Sequence, residues 1–251
     1  MSFIDDIKAV GTYLVGDSTG ATLARTAMLA YTVYKVNKSS TPANSSASAE
    51  IDVGQRLQLD PLTTNAIPVV YGSAFLGGSI TDAQSTNDNK TMSYCITISE
   101  KTGNKLSDGL PSNITFRDIY CNDQRMVFKS DGITAAYSID RDSNVDYSIA
   151  DLIEIYCYAG SSINQVAPYG HTLDSTINAY TIMPEWTVNH IMNDLIFIII
   201  KVNYNKEKNV TSIPTMRFHL ENSMDQPGDC IYDYMTNTRY GAGIDPMEIN
   251  S

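Results

Sequence analysis

From Ile51 onward the chain is a series of short runs rich in Ile, Val, Tyr and Thr, separated by clusters of turn-forming residues. β-branched and aromatic side chains favour strands, whereas Asn, Asp, Ser and Gly favour the turns between them. The strand-like runs are 67–71, 91–99, 115–120, 125–128, 135–139, 152–158, 195–204 and 213–220. Strands this short and this regularly interrupted predict a mainly β (α+β) fold, organised as an antiparallel sandwich or barrel.

The first fifty residues have a different character. Residues 3–15 and 21–37 carry apolar side chains at helical spacing, which predicts an N-terminal helical segment over 1–37. Residues 38–50 are rich in Ser, Ala, Asn and Thr, a composition typical of a flexible linker. The β-rich body then covers 51–251, and one further division makes 111–184 an insertion between 51–110 and 185–251.

Shorter elements are predicted near the end of the chain. The polar run 205–209 is a candidate hairpin tip between the last two strands. Residues 174–178 and 186–193 are candidates for short helices, and 229–236 is predicted as a short helix.

The charge balance restricts the partners of the chain. It has 17 Lys and Arg against 28 Asp and Glu, a net charge of −11, with no run of five basic residues. Nucleic-acid backbones require clustered basic side chains, so we expect no nucleic-acid surface. The longest apolar stretch, 195–200, is too short to cross a bilayer as a helix, and it predicts a buried strand.

The four cysteines do not have the spacing of a zinc or iron–sulfur ligand set. Three of them, Cys95, Cys121 and Cys157, lie in apolar runs beside a tyrosine. We expect buried free thiols that pack as small apolar groups, as is typical of assembly in a reducing cytoplasm.

No catalytic, cofactor or metal site is predicted. Residues 140–151 imitate a calcium loop, but Val145 replaces the turn-making Gly and Asp151 replaces the final Glu, so a polar hairpin turn is the better interpretation. His190 and Asp194 have the spacing at which a carboxylate can orient an imidazole, without a further ligand. The chain has no nucleophile elbow and no phosphate loop, so we expect no enzyme activity.

Two distant segments carry a resemblance. The first is Ile67-Pro68-Val69-Val70-Tyr71-Gly72 with Phe75-Leu76-Gly77-Gly78, and the second is the 230–244 region around Arg239-Tyr240-Gly241-Ala242-Gly243. In this order, and with the expected strands and short helix around them, they resemble the tail-tip or baseplate-hub proteins of bacteriophages, as in the hub portion of the lambda-like host-specificity proteins. The resemblance covers about 51–249.

Local chemistry suggests a role for these residues. Pro68 can begin a strand because no donor is needed there, and Gly72, Gly77 and Gly78 allow bends or close backbone approach. Arg239 in the last turn of the 229–236 helix would complement its carbonyl end, and Gly241 would help to reverse the chain.

The resemblance implies a structural virion protein, assembled in the host cytoplasm. It implies a symmetric ring, a homotrimer, that closes the tail tube. The implied partners are a distal tail or tail-tube protein, the tape-measure protein, and a separate hub or fibre polypeptide. Lambda-type members continue well beyond the second segment, so the chain resembles the first portion of a hub. The implied scaffold or interface positions are Pro68, Tyr71, Gly72, Gly77, Gly78, Arg239, Tyr240 and Gly241.

Two other function classes remain open. One is a receptor- or carbohydrate-binding β module of a virion, for which Tyr147 beside Asp146 and Asn144 is the nearest sequence feature, without a second aromatic residue on its loop. The other is a tail-associated wall hydrolase, for which the sequence offers no motif.

Overall fold

The computed structural model describes residues 66–86 and 89–249. These residues contain eleven strands and three short helices. The strands are β1 (Ser73–Leu76), β2 (Ser79–Thr86), β3 (Thr91–Glu100), β4 (Ile114–Cys121), β5 (Gln124–Phe128), β6 (Ala135–Ile139), β7 (Val145–Asp146), β8 (Ile153–Ala159), β9 (Gln165–Val166), β10 (Leu195–Asn203) and β11 (Met216–Asn222). The helices are α1 (Ala179–Ile182), α2 (Pro227–Thr236) and α3 (Pro246–Ile249).

The strands form two antiparallel sheets. One has six strands in the order β1-β11-β4-β5-β6-β7, and the other has five in the order β2-β3-β10-β8-β9. A single hydrophobic cluster includes side chains from both sheets, so the sheets pack face to face as a sandwich. The predicted mainly β (α+β) class is therefore confirmed.

The central strand β10 explains the longest apolar run of the sequence. Ile196, Ile198 and Ile200 lie in the core between the sheets. Phe197 and Ile199 point to the opposite face, where a second cluster includes residues of α1. Both faces of this strand are thus buried, and a strand in that position has no reason to alternate apolar with polar residues.

Strand β11 has only one buried face. Its buried residues and its partly exposed residues alternate, as expected for a strand with one face on the core and one towards water. The inward residues are Met216, Phe218, Leu220 and Asn222, and the outward residues are Arg217, His219 and Glu221.

Gly77 and Gly78 carry the chain from one sheet to the other, because β1 and β2 belong to different sheets. Gly78 has φ +75°. A Cβ at Gly78 would lie 2.7 Å from Cγ2 of Ile96 and 3.0 Å from the carbonyl O of Thr97. The left-handed backbone and the lack of space both require glycine at this crossing.

The predicted strand at 67–71 is wrong. Within this run the structure has only an isolated parallel bridge between Val69 and Glu100. Pro68 offers no N–H to a ladder, although its carbonyl accepts a hydrogen bond from the Glu100 N–H at 2.9 Å. The strand of this region begins two residues beyond the run, at Ser73.

The predicted hairpin tip at 205–209 is only partly correct. Asn205 and Val210 exchange backbone hydrogen bonds of 2.8 and 2.9 Å, so a tight turn is present. The strands that flank it, β10 and β11, belong to different sheets and do not pair. The turn therefore begins a crossing between sheets.

The predicted short helices at 174–178 and 186–193 are also wrong, since the helical turn of this region is α1, which lies between them. The polar strand β2 was missed. Its backbone pairs with β3 from Ser79↔Thr97 to Thr86↔Thr91.

The predicted insertion 111–184 supplies strands that pair with strands outside it. Its strand β4 pairs with β11, and its strand β8 pairs with β10, so it contributes to both sheets. The predicted helical segment 1–37 and linker 38–50 lie outside the described residues. Across 66–86 and 89–249, no helix is both long enough and apolar enough to span a membrane.

Candidate functional site

The two distant segments meet at a single carboxylate. Asp233 lies on α2 and is buried, with 7% of its surface exposed. Its Oδ2 accepts hydrogen bonds from the Tyr71 hydroxyl at 2.7 Å and from the Tyr240 hydroxyl at 2.6 Å. Its Oδ1 accepts a third from the Gly103 N–H at 3.0 Å. These four residues are called the Asp233 cluster below.

The donors explain why a carboxylate can be buried here. Removing a carboxylate from water is costly unless hydrogen bonds replace its hydration. Burial is the main cause that raises the pKa of Tyr71 well above the usual range of tyrosine, and the hydrogen bond to Asp233 is the second cause. The same causes raise the pKa of Tyr240. Both hydroxyls therefore stay protonated at neutral pH and act as donors to Asp233.

A second carboxylate on α2 holds the same loop. Asp229 is buried, and it accepts hydrogen bonds from the Ser107 hydroxyl at 2.7 Å and the Ser107 N–H at 3.2 Å. Asp229 and Asp233 are four residues apart, so they share one face of the helix. The buried face of α2 is therefore acidic, and it is bound to the loop that contains Gly103 and Ser107.

The prediction that Arg239 lies in the last turn of the helix is wrong. Helix α2 ends at Thr236, and Arg239 follows three residues later. Its Nε forms an ion pair with Oε2 of Glu100 at 2.9 Å, and its Nη1 donates to the carbonyl of Asn193 at 3.0 Å. Asp194 is a further ion-pair partner at 3.6 Å.

Glu100 links the two segments a second time. Its backbone N–H is bound to Pro68 in the first segment, and its carboxylate is paired with Arg239 in the second. Only a small fraction of Glu100 is exposed. Burial raises the pKa of Glu100 even though the Arg239 guanidinium opposes this effect.

Gly72 is bound to the turn after β11. Its N–H donates to the carbonyl of Met224 at 2.9 Å, and its carbonyl accepts from the Asn222 N–H at 2.7 Å. The buried Asn222 side chain also donates to the carbonyl of Val70 at 2.7 Å. With φ +66°, Gly72 has the left-handed conformation that glycine adopts most readily.

Gly241 lies where the chain folds back over the end of α2. The Ala242 N–H donates to the carbonyl of Tyr234 at 2.8 Å. A Cβ at Gly241 would overlap that carbonyl and would lie 2.8 Å from the carbonyl O of Asn237. The predicted chain reversal is confirmed, and close backbone contact is the reason for the glycine.

The structure thus brings together six of the eight predicted scaffold positions: Pro68, Tyr71, Gly72, Arg239, Tyr240 and Gly241. Gly77 and Gly78 lie apart from them, at the crossing between sheets. Asp233, Asp229 and Glu100 were not among the residues predicted from the sequence. The sequence feature that could have indicated Asp229 and Asp233 is their spacing of four residues in an otherwise apolar helix.

The cysteines are buried thiols, as predicted for Cys95, Cys121 and Cys157, and Cys230 is partly buried. Burial raises the pKa of both Cys95 and Cys121 to about 12. It raises the pKa of Cys157 further. Thiols that stay protonated in this way are poor nucleophiles.

The 140–151 region forms the predicted hairpin turn. Strands β6 and β7 pair across it, and Asp140 accepts hydrogen bonds from the N–H groups of Asp142 at 2.9 Å and Asn144 at 2.8 Å. In the part of the chain that the structure describes, no group of three or more His, Cys, Asp or Glu side chains is placed to hold a metal ion.

The suggested contact between His190 and Asp194 is wrong. The Nδ1 of His190 accepts from the Thr187 N–H at 2.9 Å, and its ring stacks on Trp186. Asp194 instead faces Arg239. The loop of Tyr147 contains no second aromatic residue, but Tyr147 has an aromatic neighbour on another element. The centroid of the Tyr137 ring on β6 lies 5.6 Å from that of the Tyr147 ring.

No protein-family model matches the chain, and no curated protein matches it. The geometry of the described residues and the two-segment resemblance are therefore the basis for a function.

Proposed function

We propose that the chain is a structural protein of a phage tail tip or baseplate hub. It forms a symmetric, trimeric ring that closes the tail tube and anchors tape-measure or fibre proteins. The observation that carries the proposal is the contact between the two segments of the resemblance. Tyr71 of the first segment lies 162 residues before Asp233, yet it shares that carboxylate with Tyr240 of the second segment.

This contact supports the proposal because unrelated motif matches have no reason to meet in space. Residues that define a common fold do have one, since they stabilise the same part of it. Glu100 provides an independent link between the segments through Pro68 and Arg239. The two segments of the resemblance are therefore parts of one connected structural unit.

The chemistry of the Asp233 cluster is that of a scaffold. Its carboxylate is occupied by three donors, and its tyrosines remain protonated. A group that is saturated with hydrogen bonds inside the protein holds elements in place and offers little to a substrate.

Residues 70–72, near the start of the described part of the body, are each bound to a later part of the chain. Val70, Tyr71 and Gly72 are bound to Asn222, Asp233 and Met224 respectively. In the proposed hub, the helical segment predicted over 1–37 reaches a neighbouring subunit or the tube lumen. The flexible linker predicted over 38–50 would give that segment the reach to do so.

The location in the virion is tested by immunogold electron microscopy with antibodies against the chain. We expect label at the distal end of the phage tail, where a hub or tip protein lies. Label only on capsids, or none on intact and disrupted particles, contradicts the proposal. A pre-absorbed antibody sample provides the control.

The ring is tested by measuring the mass of the full chain in solution at several concentrations. A species of three chains that persists on dilution supports the trimer. Any other closed ring would retain the hub but correct its symmetry. A monomer at every concentration contradicts a ring that forms without the tail tube.

A further inference from the structure

A pocket of about 320 Å³ lies between the edge strand β2 and the segment that follows α1. It contains the single tryptophan of the chain. Its lining includes Asp82, Gln84, Glu185, Trp186, His190 and Met192. None of them belongs to the Asp233 cluster.

A series of hydrogen bonds fixes the side chains that line the pocket. Asp82 Oδ2 accepts from the Trp186 indole N–H at 2.6 Å and from the Gln84 amide at 2.7 Å. Gln84 Oε1 in turn accepts from the Glu185 N–H at 2.9 Å. These contacts fix the indole before any ligand binds, and such preorganisation reduces the entropic cost of binding.

The ring of His190 stacks on Trp186, with centroids 5.5 Å apart and an angle of 8° between the planes. Because Nδ1 accepts a hydrogen bond from the Thr187 N–H, the neutral ring carries its proton on Nε2. Among the described residues, nothing binds this Nε2, and nothing donates to the exposed carboxylate of Glu185. The rim thus offers one donor and one acceptor to a ligand.

Backbone strain is present at the same place. Met192 has φ +53°, in the left-handed region that a residue with a bulky side chain rarely adopts. Strained conformations of this kind are concentrated at binding and catalytic sites, where the surrounding structure maintains them. Here the strained residue is one of those that line the pocket.

We propose that this pocket binds a neutral saccharide unit. A sugar hydroxyl both donates and accepts, which fits His190 Nε2 and the Glu185 carboxylate, and its C–H faces pack on aromatic rings. Two carboxylates, Asp82 and Glu185, line the pocket without a Lys or Arg, so anionic ligands such as phosphates are repelled. The volume is at the lower end of the range for small-molecule sites, about 300 Å³.

This inference goes beyond the proposed hub function, because a scaffold protein needs no ligand. It also differs from the sequence-based alternative, which pointed to Tyr147. The two locations can be separated, since Tyr147 pairs with Tyr137 on the six-stranded sheet and the Trp186 pocket includes residues of β2 in the five-stranded sheet.

The single tryptophan makes the test direct. Glucose, galactose, mannose and N-acetylglucosamine are titrated separately into the full chain while Trp186 emission is recorded. We expect a saturable change with at least one sugar, with a Kd on the order of 1 mM, as is typical of a small polar ligand. No saturable change with any of the four sugars overturns the proposal.

Variants separate the pocket from other sites. Glu185→Ala and His190→Ala should each weaken binding of the responding sugar by about tenfold or more, consistent with a lost polar contact of about 1.4 kcal/mol. Glu207→Ala, which removes an exposed carboxylate in the 205–210 turn, should leave the affinity unchanged and is the matched control. Calorimetry is the second readout for every variant.

Two results would contradict the assignment. If Tyr147→Ala abolishes sugar binding while Glu185→Ala and His190→Ala do not, the saccharide site is the Tyr137–Tyr147 pair. If arginine or lysine gives the saturable change and the four sugars do not, the two carboxylates bind a cation and the proposed ligand class is wrong.

Discussion

At the scale of single residues, Asp233 connects three separate parts of the chain. Its carboxylate accepts hydrogen bonds from Tyr71, Gly103 and Tyr240, and it is nearly inaccessible to water. Removing a buried acceptor of this kind costs much of the stability of the fold, because its donors are then left without a partner.

We expect Asp233→Asn to destabilise the fold by about 3 kcal/mol, since the amide nitrogen would oppose a donor and the charge would be lost. Urea unfolding followed by circular dichroism measures the effect. Asp225→Asn is the matched control, because Asp225 is exposed just before α2 and its substitution should change stability by less than about 0.5 kcal/mol. Equal effects of the two variants would contradict the role assigned to Asp233.

The tyrosines of the cluster predict sensitivity to alkali. The pKa of both Tyr71 and Tyr240 is higher in the folded protein than the usual value of about 10. Below that pH both states keep the protons, so stability is fully present. Above it the unfolded chain releases them first, and stability falls as the pH rises.

The urea concentration at the unfolding midpoint should therefore decrease as the pH is raised from about 10 to about 11. The double variant Tyr71→Phe/Tyr240→Phe should show a smaller decrease. Burial also raises the pKa of Tyr156 and Tyr158, so part of the fall will remain. Tyr204→Phe, at an exposed tyrosine, should leave the pH profile unchanged. An identical profile for the double variant and the wild type would be evidence against the raised pKa values.

At the scale of elements, α2 is unusual because its buried face is acidic. Asp229 and Asp233 face the body, whereas Ile231 and Tyr234 are exposed. Burial of apolar side chains therefore does not explain its position. The helix is held by its hydrogen bonds to the 103–107 loop and by the chain reversal at Gly241.

Two glycines at the ends of this helix should respond in opposite directions to alanine. Gly241→Ala would force a Cβ into the Tyr234 carbonyl and should cost about 3 kcal/mol, at the upper end for overpacking. Gly228→Ala places a Cβ where no atom lies within 4 Å, in the first turn of α2, and should stabilise by about 0.5 kcal/mol. Thermal unfolding of both variants is the measurement, and a neutral Gly241→Ala would show that the turn is not closely packed.

At the scale of the whole molecule, the described β body has a continuous core that includes both sheets. A body with its own core does not need the predicted helical segment in order to fold. The proposed assembly does need that segment, because it is the part expected to reach a neighbouring subunit.

Deletion of residues 1–37 should therefore leave a soluble β body with an unchanged circular dichroism signal for strands, and it should reduce the mass in solution to that of a monomer. Light scattering of the truncated and full chains compares the two. An insoluble or unfolded truncated chain would place the boundary elsewhere. A truncated chain that still forms the full ring would show that the interface lies in the β body.

Several strands could be predicted from the sequence because their evidence is local. β3, β4, β5, β6, β8 and β10 lie within one or two residues of the runs that predicted them. The edge strands β1, β2, β7 and β9 were missed because they are short or polar, and such segments become strands only when a neighbour supplies hydrogen bonds. Helix α2 was predicted because its pattern is local, whereas its acidic buried face depends on the distant loop that it contacts.

By itself, the sequence determined the class of the fold, the turns at 140–144 and after α2, and the burial of three cysteines. These properties follow from side-chain periodicity and from backbone preferences within a few residues. Only the tertiary structure decided which sheet each strand joins, that Tyr71 and Tyr240 share Asp233, and that Trp186 lies against Asp82. Such contacts join residues up to 162 positions apart, and their energies depend on burial and on distances that local sequence patterns do not encode.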